Sequence, residues 1–119
     1  MPPENKRKWG SGEEDLAVEF LAARGIKILE RNFRFERGEI DIIAEEGDEL
    51  LFIEVKARRS RVFGLPEDAV TEKKQEQIFS VAEGYLFKNN IENRPCRFDI
   101  VAIEYCNGIA EIRHLRDAF

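Results

Sequence analysis

The chain has 119 residues, a net charge of −5 and two cysteines. That length supports one domain around a single core and excludes a multidomain assembly. No apolar run approaches the ~20 residues that span a bilayer, so no membrane partner is expected, and the acidic balance excludes a wholesale cationic coat for nucleic acid.

Residues 1–9 read as a flexible polar tail, with Lys6, Arg7 and Lys8 and no apolar segment behind them to make a secretion signal. Residues 10–119 read as the single domain. Cys96 and Cys106 lack CxxC spacing and read as free thiols of a cytoplasmic protein.

Ser11 or Gly12 opens a first helix. Glu13, Glu14 and Asp15 fill its first turn, where acids complement the dipole, and Gly25 closes it. Glu14 shares a helix side with Ala17, Val18 and Leu21. On spacing alone, the three acids are ordinary solvated charges. Ile26 to Phe35 reads as a strand, with Asn32 marking a bulge or bend.

Gly38 to Arg59 then reads as a hairpin on which the rest is organised. Ile40, Ile42 and Ala44 alternate with Glu39, Asp41 and Ile43 on one arm. Leu51, Ile53, Val55 and Ala57 alternate with Phe52, Glu54 and Lys56 on the other. A two-residue Gly47-Asp48 turn sets Glu46 against Glu49. Asp41 then falls opposite Glu54, and Glu39 opposite Lys56. Two acids facing each other among Ile, Leu and Val are destabilising unless something neutralises them. A hard divalent cation, Mg²⁺ or Mn²⁺, suits such oxygens. A cross-strand patch of ion pairs, Glu39 with Lys56 and Asp41 with an arginine of the first strand, is the plain structural alternative.

The hairpin also reads as polarised. Arg31, Arg34, Arg37, Lys56, Arg58, Arg59 and Arg61 gather at one end, and Glu45, Glu46, Asp48 and Glu49 at the turn. A polyanion would be held at the first end and kept off the second.

The loop Ser60 to Glu67 contains Gly64 and Pro66, and Phe63 within it is expected to be partly buried. Asp68 or Thr71 caps a second helix running to about Lys88. Lys73 and Lys74 in its first turn oppose the dipole, which fits either solvation or a phosphate partner. Arg97 to Tyr105 and Ile109 to Leu115 are two more strands joined by an Asn107-Gly108 turn. His114, the one histidine, has no neighbouring pattern for zinc. The order α-β-β-β-α-β-β makes an α/β fold with a central mixed sheet flanked by helices.

Asp41 followed a strand later by Glu54-Val55-Lys56 resembles the PD-(D/E)xK nuclease signature, and the element order resembles that superfamily's restriction endonuclease-like αβββαβ core. More closely, the chain resembles the YraN-like family of small bacterial proteins. The matching residues are Glu14, Ala17, Gly25, Asn32, Gly38-Glu39-Ile40-Asp41, Phe52-Ile53-Glu54-Val55-Lys56, Arg58, Gly64, Val70, Lys74, Ala82, Arg97-Phe98-Asp99 and Asp117-Ala118-Phe119. One departure is that Glu13 stands between Gly12 and Glu14. Alignment on Ala17 selects Glu14 as the family acid, whereas alignment on Gly12 selects Glu13.

The resemblance implies a metal-dependent endonuclease acting on the phosphodiester bonds of DNA, including branched or structured DNA. Asp41 and Glu54 would ligate Mg²⁺ or Mn²⁺ with the Val55 carbonyl and water. Glu14 would hold a metal-bound water or a second ion, Lys56 would sit by the attacking water, and Glu39 would support them. Lys56, Arg58, Arg59, Lys74 and Arg34 would contact the nucleic acid. A homodimer fits this reading, with two sites for two strands. Two other functions stand beside it: a nucleic-acid-binding module without turnover, and a protein-interaction domain.

Overall fold

The structure is a computed structural model and describes residues 12–119. The proposed flexible tail at residues 1–9, and Ser11 as a helix opener, lie outside the described residues. Helix α1 (Gly12–Ala23) leads into strands β1 (Lys27–Phe35), β2 (Gly38–Glu46) and β3 (Glu49–Arg58). A 3₁₀ turn (Pro66–Ala69) precedes helix α2 (Glu72–Lys88), and strands β4 (Cys96–Cys106) and β5 (Ile109–Leu115) complete the chain. The element order is the one the sequence implies.

The five strands form one mixed sheet in the order β1-β2-β3-β4-β5. Only β3 and β4 are parallel, because α2 carries the chain back between them. One helix covers each face. Ala17 and Leu21 of α1 pack with Ile42, Ala44, Leu51, Ile53, Val101 and Ile103. Ile78, Val81, Ala82 and Tyr85 of α2 pack with Phe33, Ile40, Ile43, Leu50, Phe52 and Ile100. The sheet is thus buried on both sides, which is why β3 and the middle of β4 carry long apolar runs.

Local chemistry sets the boundaries. Helix α1 ends in a Schellman motif: the Ile26 N–H bonds the Leu21 carbonyl, the Gly25 N–H bonds that of Ala22, and Gly25 holds φ +83°. Thr71 caps α2 through its hydroxyl, which accepts the Lys74 N–H at 3.3 Å. Asp68, the other candidate cap, instead accepts the Leu65 N–H in the preceding loop. Gly38 lies where β2 starts under α2, and a Cβ there would overlap Val81.

The hairpin turn has the expected register, with Glu46 opposite Glu49 and Ile42 opposite Ile53. There the β2–β3 ladder stops, one pair short of Asp41 and Glu54, so the expected direct pairing of those two acids does not form. Glu39 does not face Lys56; it faces Arg34 on β1.

The expected alternation along β2 also fails at Asp41. Ile40 lies in the α2-side core with Ile43, whereas Ile42 and Ala44 lie in the α1-side core. The cause is across the sheet. Arg31 pairs with Ile42 and Phe33 with Ile40, so Asn32 falls opposite Asp41. Asn32 holds φ 54°, a left-handed angle that Asn tolerates better than most residues, and the paired strands change faces there. Asn32 is therefore the bend; the register shift itself lies between Ile28 and Glu30.

Candidate active site

Where β2 and β3 part, a cavity of about 420 Å³ opens, lined by Glu13, Glu14, Glu39, Asp41, Glu54, Val55, Lys56, Ala57 and Lys74. Three elements converge on it. The first turn of α1 supplies Glu14. The separating strands supply Asp41 and Glu54. Helix α2 starts beyond the carboxyl end of β3, as helices of parallel crossovers do, and brings Lys74 back over that strand.

Asp41, freed from the pleat, turns its carboxylate to β3. Its Oδ2 accepts the Val55 N–H at 2.8 Å, replacing a missing ladder bond. Glu54 is 3% exposed. Its Oε2 lies 3.6 Å from Lys56 Nζ and 3.5 Å from Lys74 Nζ. Its Oε1 is buried and has no hydrogen-bond partner. Glu14 Oε1 is likewise buried and unpartnered, although the Arg31 guanidinium stands 3.8 Å away.

Burial holds the Glu54 carboxyl up at about 7, and the Asp41 charge adds to the shift against the pull of Lys74 and Lys56. Glu14 is also raised to about 7, first by burial and then by Asp41, with Arg31 and Asn32 opposing. Asp41 is raised by burial and held back by the Val55 N–H. Three carboxyls thus share one under-neutralised pocket. Among the described residues no three His, Cys, Asp or Glu side chains are already drawn together as a ligand set.

The family model described as "Uncharacterised protein family UPF0102" matches residues 13–103. The chain belongs to this family. A UPF0102 protein of Symbiobacterium thermophilum is 48% identical over 114 residues, covering 95% of this chain and 97% of that one. One of Clostridioides difficile is 44% identical over 115 residues, 97% of this chain and 98% of its own. One of Nitrosococcus oceani is 42% identical over 120 residues, spanning this whole chain and 97% of its own. The match contains every residue of the cavity.

In this UPF0102 chain, most of the site residues read from sequence come together: Glu14, Asp41, Glu54, Val55, Lys56, Lys74 and Glu39 line one cavity. The first-turn acids are not simply solvated. Asp15 binds Arg31 at 2.7 Å; Glu13 and Glu14 both line the cavity, and of the two it is Glu14 whose carboxyl is raised by burial and by Asp41. Arg34, Arg58 and Arg59 lie outside the cavity wall. Arg34 is 3.7 Å from Glu39. Arg58 donates to the Phe63 carbonyl at 3.4 Å, and the Arg59 guanidinium lies 4.5 Å over the Tyr105 ring.

The expected acidic end of the hairpin is neutralised. Arg94 binds Glu45 at 2.6 Å, Arg116 binds Glu46 at 2.6 Å, and Arg97 binds both Glu46 and Glu49. These partners come from distant loops and strands, so local charge runs overstate the polarity of the surface. Arg97 also clamps Asp99, which is fully buried and lies 2.7 Å from His114 Nε2. The sequence signal for this network is two opposite charges two residues apart on the strand face that otherwise carries Val101 and Ile103. His114 is a partner of this buried network through Asp99.

The described residues include no helix long and apolar enough to cross a membrane. Cys96 and Cys106 are both free and exposed.

Proposed function

We propose that this chain is a metal-dependent endonuclease of the PD-(D/E)xK type, with a restriction endonuclease-like core, hydrolysing phosphodiester bonds of DNA. The observation that carries this reading is the pair of buried oxygens without hydrogen-bond partners, Glu14 Oε1 and Glu54 Oε1, in the cavity that Asp41 also lines. Burial and mutual repulsion make these carboxyls hold protons up to about pH 7 despite Lys56, Lys74 and Arg31 nearby, and a hard divalent cation would stabilise their charged forms. Asp41 and Glu54 fit Mg²⁺ or Mn²⁺ as ligands, with Val55 in the same wall and Glu14 beside them. When bound, the ion acts as a Lewis acid on the phosphate and makes hydroxide accessible near neutral pH.

The chain's own groups account for the rest. The Val55 N–H fixes the Asp41 carboxylate. Lys56 places an ammonium at the rim, where charge develops on the phosphate in the transition state. Lys74 links this cavity to a groove of about 530 Å³ lined by Thr71, Lys73 and Gln77. Gln77 also lines a third hollow of about 390 Å³ bounded by Arg37 and Ser80. Together they give a polyanion a route along the start of α2.

The test is cleavage of plasmid and branched DNA in Mg²⁺ or Mn²⁺ by the wild type, Asp41→Ala and Lys56→Ala. Loss in both variants is expected. Equal residual cleavage in all three rejects the assignment. One observation favours a second reading, a nucleic-acid-binding module without turnover: Lys56 and Lys74 already give Glu54 Oε2 two cationic neighbours. Salt-dependent DNA binding with no metal-dependent cleavage would select that reading.

A further inference from the structure

Phe63 is 81% exposed and Val62 beside it 78%, against the partial burial expected for an aromatic in a loop between two core elements. The loop is not loose. Arg61 grips Glu104 through two bonds of 2.8 and 3.2 Å, and Arg58 donates to the carbonyl of Phe63 itself. On the far side, Asp68 accepts the Leu65 N–H at 2.9 Å, and Gly64 takes φ +99° with no room for a Cβ against the Asp68 carboxylate. Arg113 ties Glu67 to Glu104, closing the base. An apolar pair is thus held out into water on an anchored support.

The loop joins the two walls of the cavity. It leaves β3 after Lys56 and Ala57 and returns to α2 before Lys74, all of which line that cavity. Arg58 and Arg59 stand at its base on the β3 side, while Glu104, Glu67 and Asp68 there are taken up by Arg61, Arg113 and the Leu65 N–H. An aromatic face beside arginines fits a nucleobase whose phosphate is held close by: stacking needs a flat apolar surface, and the backbone needs positive charge. In a closed duplex the bases are already stacked, so Phe63 gains a partner only where a base is unpaired.

We infer that Phe63, with Val62, is a stacking platform for an unpaired nucleobase of a strand held at the neighbouring cavity, which makes single-stranded or forked DNA the preferred nucleic-acid class. The inference rests on the nucleic-acid reading of the neighbouring cavity but not on cleavage.

The test is binding of the full chain to fluorescently labelled forked, single-stranded and fully duplex oligonucleotides in EDTA, where no bond is cut. A 2-aminopurine at the fork reports stacking. The wild type should bind the fork about tenfold tighter than the duplex and change the 2-aminopurine emission. Phe63→Ala and Phe63→Leu should lose both effects and retain the duplex affinity, and Phe63→Trp should keep both. At this exposed position the substitutions should leave the fold intact, and circular dichroism of each variant checks it. Equal affinity of the wild type for fork and duplex, an undiminished preference in Phe63→Ala, or no affinity for any of the three DNAs overturns the inference. Because cleavage is not measured, absence of nuclease activity leaves this outcome readable, and a nuclease indifferent to forks refutes the platform alone.

Discussion

Asp41 and Val55 stand on neighbouring strands that have stopped pairing, and the Asp41 carboxylate takes the Val55 N–H at 2.8 Å. One carboxyl therefore has two duties: it closes the end of the ladder and it brings negative charge to the cavity. Two substitutions separate these duties. Asp41→Asn keeps an oxygen for the Val55 N–H and removes the charge. Asp41→Ala loses both and leaves the N–H without its partner, a cost of about 1–3 kcal/mol. In metal-free buffer at pH 8, Asp41→Asn should be at least as stable as the wild type and Asp41→Ala less stable. Neither should gain stability from Mn²⁺. Thermal denaturation with and without the ion measures both effects, and Mn²⁺ protection of Asp41→Asn equal to that of the wild type would falsify the ligand assignment.

The site also sets a pH dependence. Glu54 titrates near 4.5 in the unfolded chain and near 7 when folded, raised first by burial. The folded chain therefore holds a proton that the unfolded chain has released. Stability from this group is complete below about pH 4.5 and is lost as pH rises through about 7, by about 3 kcal/mol at most. Glu14 shifts in the same direction. Urea denaturation in EDTA should show wild-type stability declining across that window and a smaller decline in Glu54→Gln. Added Mn²⁺ should offset the loss at pH 8 and do little at pH 5, where protons compete for the same oxygens. Parallel pH profiles for the two proteins would remove Glu54 as the titrating group.

How much of this the sequence carries depends on how local the cause is. Gly25, Gly47-Asp48 and Asn107-Gly108 have backbone demands written in single residues, so helix ends, hairpin register and topology are legible. That hairpin brings Asp41, Glu54 and Lys56 to one end of the β2–β3 pair, although the expected register does not extend to them. The break at Asp41 does not, because it originates in the φ angle of Asn32 on another strand. Nor do the partners of the turn acids, since Arg116 reaches Glu46 across 70 positions of the chain. Phe63 escapes for a different reason. Periodicity reports burial only inside regular elements, and a loop has none.

Lys56 and Lys74 flank the same Glu54 oxygen at nearly equal distances, yet they are built into different elements. Lys56 is on β3 within the cavity wall, whereas Lys74 is on α2 and also lines the adjoining groove. Lys56→Ala should therefore lower kcat, by about 10²-fold or more, with little change in DNA affinity. Lys74→Ala should weaken DNA binding and reduce the salt slope by about one, with kcat at saturating DNA much less affected. Single-turnover cleavage and salt-titrated binding separate the two. The same loss pattern in both variants would overturn this division of roles.

Asp99 is the most deeply enclosed charge of the described residues, and it lies away from the cavity. Burial pushes its carboxyl up, but His114, Arg97 and the Asp117 N–H overcome that and hold it down at about 2. Its contribution is thus present above about pH 4 and lost only as pH falls through about 2. Removing one partner of such a network leaves the others buried and unpaired. Asp99→Ala should cost about 3–5 kcal/mol, toward the lower end because Glu46 and Glu49 still hold Arg97. Replacing both charges, as in Arg97→Met with Asp99→Leu, should recover much of that loss, since a packed apolar pair needs no desolvation of ions. Below their melting temperatures both proteins should bind Mn²⁺ as the wild type does. Denaturant unfolding with and without Mn²⁺ tests this. A double variant no more stable than Asp99→Ala would mean that His114 and the Asp117 N–H depend on that carboxylate more than Arg97 does.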